Sequence, residues 1–176
     1  MQIIRYLLFT LAVLAACSTV GADLPTRIGT SAFALALYDS DGLYGGQELF
    51  ILTNGMAYAR AQRPPQKKES GLQERRYRLQ LTANEVQTLR ALLDRHQFLT
   101  LTVPGGTGIP HEQRATIALR LPDGQRRDVF KWQRHPQAGF TAIHRHLLGI
   151  LHRAEKTQPV FQGESVYAWS PEGFVR

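Results

Sequence analysis

"ELFILTNGMAYARA", Glu48 to Ala61, decides the fold class of this chain. Two strand-like runs flank Asn54-Gly55, a dipeptide suited to the positive φ angles of a two-residue type I′ turn, so the stretch is expected to be an antiparallel hairpin. Just upstream, "FALALY" (Phe33 to Tyr38) is short and apolar, and "DSDGLYGG" (Asp39 to Gly46) has loop chemistry. Downstream, two prolines and a run of charge in "QRPPQKKESG" (Gln62 to Gly71) break the pattern into an exposed loop. Alternation then resumes in "RRYRLQL" (Arg75 to Leu81), with Tyr77, Leu79 and Leu81 on one side and Arg76, Arg78 and Gln80 on the other.

The period then changes. Thr82 and Glu85 make a T-x-x-E capping box, and Val86, Leu89, Leu92, Leu93 and His96 follow at helical spacing. After a glycine-rich loop, "TVPGGTGIPHE" (Thr102 to Glu112), a second hairpin is expected. Its strands are "RATIALRL" (Arg114 to Leu121) and "RRDVFKW" (Arg126 to Trp132), turned by Pro122-Asp123-Gly124. Phe140, Ile143, Leu147, Ile150 and Leu151 form the buried stripe of a second helix. The order β-β-β-(β)-α-β-β-α predicts an α+β domain: a mostly antiparallel sheet from two hairpin units, with both helices on one face. The domain is placed at residues 31–156, with an aromatic tail over 157–176 that holds Phe161, Tyr167, Trp169 and Phe174.

Residues 1–16 have the pattern of an export signal. Arg5 precedes an apolar core, "YLLFTLAVLAA" (Tyr6 to Ala16), whose 11 residues are too few to span a membrane. That core ends against "LAAC", Leu14 to Cys17, which resembles the lipobox of bacterial lipoproteins. The thiol there would take a diacylglycerol. Residues 17–30, "CSTVGADLPTRIGT", then read as a tether. A competing site after "VGA" (Val20 to Ala22) would release a soluble periplasmic protein from Asp23. Cys17 is the single cysteine of the 176 residues, so no disulfide is expected in the mature fold. By resemblance to the sorting rule of Gram-negative lipoproteins, Ser18 after the cysteine implies the outer membrane.

Loss of residues 1–16 removes Arg5 and no acid, leaving 20 Lys+Arg against 14 Asp+Glu, a net +6. For an exported chain this points away from nucleic acid. Lipid headgroups, acidic glycans and acidic proteins are the polyanions within reach.

Three segments taken together resemble a family of small uncharacterised bacterial lipoprotein and secreted α+β domains. They are "FALALYDSDGLYGGQELFILTNGMAYARA", "LTANEVQTLRALLDRHQFLTL" and "IALRLPDGQRRDVFKW". The resemblance covers roughly residues 31–152. It implies a strand, a glycine-containing loop and a hairpin leading to a capped helix, then a second hairpin and a closing helix. It implies an envelope setting and carries no activity.

No constellation in the chain specifies catalysis. There is no G-x-S-x-G and no H-E-x-x-H. His144, His146 and His152 lack the i,i+3 or i,i+4 spacing that would put two metal ligands on one helix face. "DSDG" (Asp39 to Gly42) lacks the later glutamate of a calcium loop. No cofactor or metal is expected. A hydrolase acting on envelope polymers would have to draw on loops 39–46 and 105–112, with Asp39, Asp41, His111 and Glu112 as the residues to locate. An inhibitor of an exogenous enzyme is a variant of the binding class. The feature with most reach is basic. Arg76, Arg78, Arg127 and Lys131 are expected to share one outward face, with the larger Phe130 and Trp132 buried on the other. The function expected is that of a membrane-anchored envelope lipoprotein, a non-catalytic binding or scaffolding module that meets an anionic envelope component or an acidic protein.

Overall fold

The computed structural model describes residues 27–174 apart from 42–43, 67–69, 106–111 and 168. Cys17, His111, Lys67 and Lys68 lie outside the described residues, as do the side chains of Ser40 and Asp41. Glu48–Ala61 folds back on itself as a hairpin, but its turn is not type I′. Gly55 has φ of 78°, while Asn54 is absent from the positive-φ residues. The Gly55 N–H donates to the Leu52 carbonyl, and Leu52 pairs with Met56 across a three-residue loop. This is a type I turn closed by a glycine in the left-handed region, and the Asn54 side chain supports it by accepting from the Met56 N–H at 3.0 Å. The second hairpin repeats the device. Gly124 has φ of 85° and donates to the Leu121 carbonyl, while Asp123 accepts from the Gln125 N–H.

The strands are β1 (Ala34–Asp41), β2 (Gly45–Ile51), β3 (Met56–Arg63), β4 (Gln73–Gln80), β5 (Arg114–Arg120), β6 (Arg126–Trp132) and β7 (Phe161–Glu164). The helices are α1 (Ala83–Arg95) and α2 (Ala138–Ala154), with a short 3-10 turn at Phe98–Thr100. The strands form one sheet in the order β6-β5-β1-β2-β3-β4-β7, every neighbouring pair antiparallel. It is an α+β fold, with sheet and helices packed together. No helix among the described residues is long and apolar enough to cross a membrane.

Both helices cover one face. Leu35, Leu37, Leu49, Ile51, Ile117 and Leu119 meet Leu89 and Leu93 of α1 and the full stripe Phe140, Ile143, Leu147, Ile150 and Leu151 of α2 in one cluster. Ile28, in the stretch read as tether, joins that core and donates its N–H to Asp94 at 2.6 Å.

The tail covers part of the opposite face. β7 pairs with β4, and the chain then crosses the sheet so that Trp169 and Phe174 pack on Phe50. A buried ion network lies under the crossing. Arg60, 1% exposed, reaches Glu48 at 3.1 Å and Glu74 at 2.5 Å, and its Nη2 donates to Ser165 Oγ and the Val166 carbonyl.

The capping box of α1 forms as the sequence predicts. Thr82 Oγ1 accepts from the Glu85 N–H at 3.2 Å, and the Glu85 carboxylate accepts from the Thr82 N–H at 2.8 Å. The Thr82 N–H and hydroxyl, and then Arg153, pull the Glu85 pKa from 4.5 down to about 2. Thr82→Ala should cost about 1 kcal/mol in urea unfolding. A depressed carboxylate stabilises above its unfolded value and loses that effect as pH falls through the folded one. Glu85→Gln should therefore flatten the acid limb of the stability curve between pH 4.5 and about 2. An unchanged acid limb would show that the box contributes nothing.

Candidate functional site

Register settles where the basic residues point. Ile117 pairs with Val129, Leu119 with Arg127 and Ala115 with Lys131, so Arg127, Val129 and Lys131 face the helices. The expectation that Phe130 and Trp132 are the buried pair is corrected: Val129 is buried and Phe130 is 52% exposed. Size did not decide the face. β6 is an edge strand, and the face covered by α2 is the one its partner's Ile117 occupies.

The four expected cations therefore divide. Arg76 and Arg78 lie on the tail side, Arg127 and Lys131 on the helix side. All four have partners within the chain. Arg76 pairs with Glu74 and stacks over Phe161 and Trp169 at 4.2 and 4.4 Å. Arg127 donates to the Leu101 carbonyl at 2.6 Å, and Lys131 donates to the carbonyls of Trp132 and Gln133. Arg78 is exposed, its Nε 3.1 Å from Met56 Sδ.

The tail side is left uncovered at its β5–β6 end. Arg114 stands over Phe130 and Trp132, 5.4 and 5.6 Å from their ring centroids. Thr116 pairs with Phe130 and with Tyr38, whose ring meets Phe50 edge-on further inward. At the far end Arg120 and Arg126 bracket Asp128 at 2.5 and 2.8 Å. Burial would raise the Asp128 carboxyl, but its hydrogen bonds from Arg120 and Arg126 outweigh that and hold it below the ordinary value. Those two arginines thus share one carboxylate, whereas Arg114 has rings for neighbours. The sequence reading puts Phe130 and Trp132 in the core and so misses this surface, because the face of β6 is set by its register with β5 and carries no local signal.

Of the loop residues Asp41, His111, Asp39 and Glu112, the last two have described side chains, and each has its own partners. Asp39 is 9% exposed and lies on the helix side, where Gln113 Nε2 donates to it at 2.7 Å and His144 Nε2 at 2.8 Å. Phe140 stacks on the His144 ring. Glu112 pairs with Arg134 and accepts its backbone N–H. Among the described residues no group of three or more His, Cys, Asp or Glu side chains could hold a metal ion.

In comparisons with known proteins, no family model, curated protein or solved structure matches this chain.

Proposed function

We propose that the chain is a lipid-tethered, non-catalytic module of the bacterial envelope that docks an anionic envelope glycan on the β5–β6 end of its sheet. The observation that carries this is the exposed Phe130 ring beside Trp132 with Arg114 over both. Flat rings accept the C–H faces of sugars, and a guanidinium stacked on aromatic surface keeps its donors for a carboxylate or phosphate. The tether is Cys17, supported by the lipobox against the apolar core. Two or more acyl chains would make that anchor stable.

Two measurements test the reading. A fatty-acid analogue fed to cells should label the wild type and not Cys17→Ala; label on the variant, or a mature N-terminus at Asp23, removes the tether. The chain from Asp23 should bind lipopolysaccharide and not neutral dextran, and binding should weaken as salt rises through about 0.15 M. Arg114→Gln with Phe130→Ala should weaken it by about 10-fold. Unchanged binding in that pair would remove the docking surface.

A second reading, hydrolysis of an envelope polymer, draws on the Asp39–His144 pair. A buried carboxylate that orients an imidazole is the positioning half of a general base. Clearing of an envelope-polymer gel by wild type and not by His144→Ala would favour it, and no clearing by wild type would remove it.

A further inference from the structure

A second basic site lies on the other side of the molecule, between the two helices. Glu85 and Thr88 of α1 and Arg145, His146, Gly149, Ile150 and Arg153 of α2 line a groove of about 400 Å³. Arg153 is tied to Glu85. Arg145 makes no hydrogen bond or ion pair among the described residues, and His146 Nε2 is buried without a partner. Gly149 adds an independent observation. It sits inside a 17-residue helix, where glycine is disfavoured relative to alanine, yet an added Cβ there would meet nothing within 4 Å. No packing among the described residues requires this glycine, and it lines the groove.

We infer that this groove is an oxyanion site for a phosphate-bearing ligand, with Arg145, His146 and Arg153 as donors and Gly149 as the floor. The volume is within the range of small-molecule sites and exceeds a bare phosphate, so the phosphate belongs to a larger body that rests on Ile150 and Gly149. Arginine suits the oxygens of a phosphate, and His146 Nε2 gains the partner it lacks. This site stands independently of the β5–β6 surface.

The groove has a pH signature. Burial first, then Arg153, lowers the His146 pKa below 6.5, while Glu85 pulls it upward. A bound dianion adds negative charge and raises that pKa, so binding takes up a proton and tightens as pH falls. Arg145 and Arg153 also line the groove, and Glu85, at about 2, stays ionised throughout. Sulfate keeps its own charge across the same window and isolates the imidazole.

The experiment is calorimetric titration of the full chain, in neutral detergent, with sodium sulfate and inorganic phosphate against a chloride control. It is joined by flotation with phosphatidic acid vesicles and with neutral vesicles. Saturable sulfate binding should strengthen as pH falls from about 8 to about 5. Arg145→Gln, His146→Gln and Gly149→Leu should each weaken it by about 10-fold. Gly149→Ala serves as the folding control and should raise the melting temperature. Variant-sensitive binding to phosphatidic acid vesicles would assign a lipid phosphate, and binding to soluble phosphate alone a free one. Absence of saturable binding in both arms, or binding indifferent to all three variants, overturns the site.

Discussion

Arg60→Ala should lower the unfolding free energy by about 3–5 kcal/mol, the usual cost of removing one partner from a buried ion pair. Arg60 ties β3 to β2 through Glu48 and to β4 through Glu74, both buried carboxylates, and to the tail through Ser165 and Val166. Without the guanidinium Glu48 and Glu74 each lose a buried cationic partner, Glu74 keeping only Arg76, and the tail loses the Arg60 hydrogen bonds to Ser165 and Val166. Urea unfolding read by far-ultraviolet circular dichroism measures the loss. Limited proteolysis should also cut after Tyr167 sooner in the variant. Arg60→Lys should recover little, because one ammonium cannot serve two carboxylates, a hydroxyl and a carbonyl with fixed directions. A variant as stable as the wild type would mean that the network contributes nothing.

Phe50→Ala should cost about 3–5 kcal/mol. Its ring is fully buried at the centre of the tail side, edge-on to Tyr38 at 5.6 Å, Trp169 at 5.6 Å and Phe174 at 5.1 Å. Those neighbours come from β1 and from two separate points of the tail, so truncation leaves a cavity with several unsupported walls. A double-mutant cycle with Trp169→Ala should show a coupling of about 0.5–1.5 kcal/mol for that aromatic pair. Strict additivity would show that the tail rests on the sheet without sharing its stability.

These two residues mark the boundary of what the sequence could say. Phe50 falls in one of the two strand-like runs that flank Asn54-Gly55, and it lies in β2 as expected. Arg60 borders a loop of prolines and lysines and is indistinguishable there from a solvated cation. Its burial comes from Ser165 and Val166, more than a hundred positions away along the chain. The histidines behave the same way. His144 meets Asp39 across 105 positions, and His146 enters a groove whose second wall is α1. Neither pairing has a local signature.

What the sequence by itself determined is what neighbours along the chain determine. The turns at Asn54-Gly55 and Asp123-Gly124, the capping box at Thr82 and Glu85, and the apolar stripe of α2 all rest on contacts within a few residues. Each was legible in position, though not the turn type at Asn54-Gly55, and so was the α+β class that follows from their order. Tertiary structure alone decided which face of β6 is buried, that the tail becomes an edge strand and a cover, and which cations remain free. Alternation with a period of two separates the faces of a strand but does not say which one the helices will cover. That choice falls to the register with β5, where Ile117 and Leu119 were already committed to the core. It turned Val129 inward and left Phe130 in solvent beside Arg114.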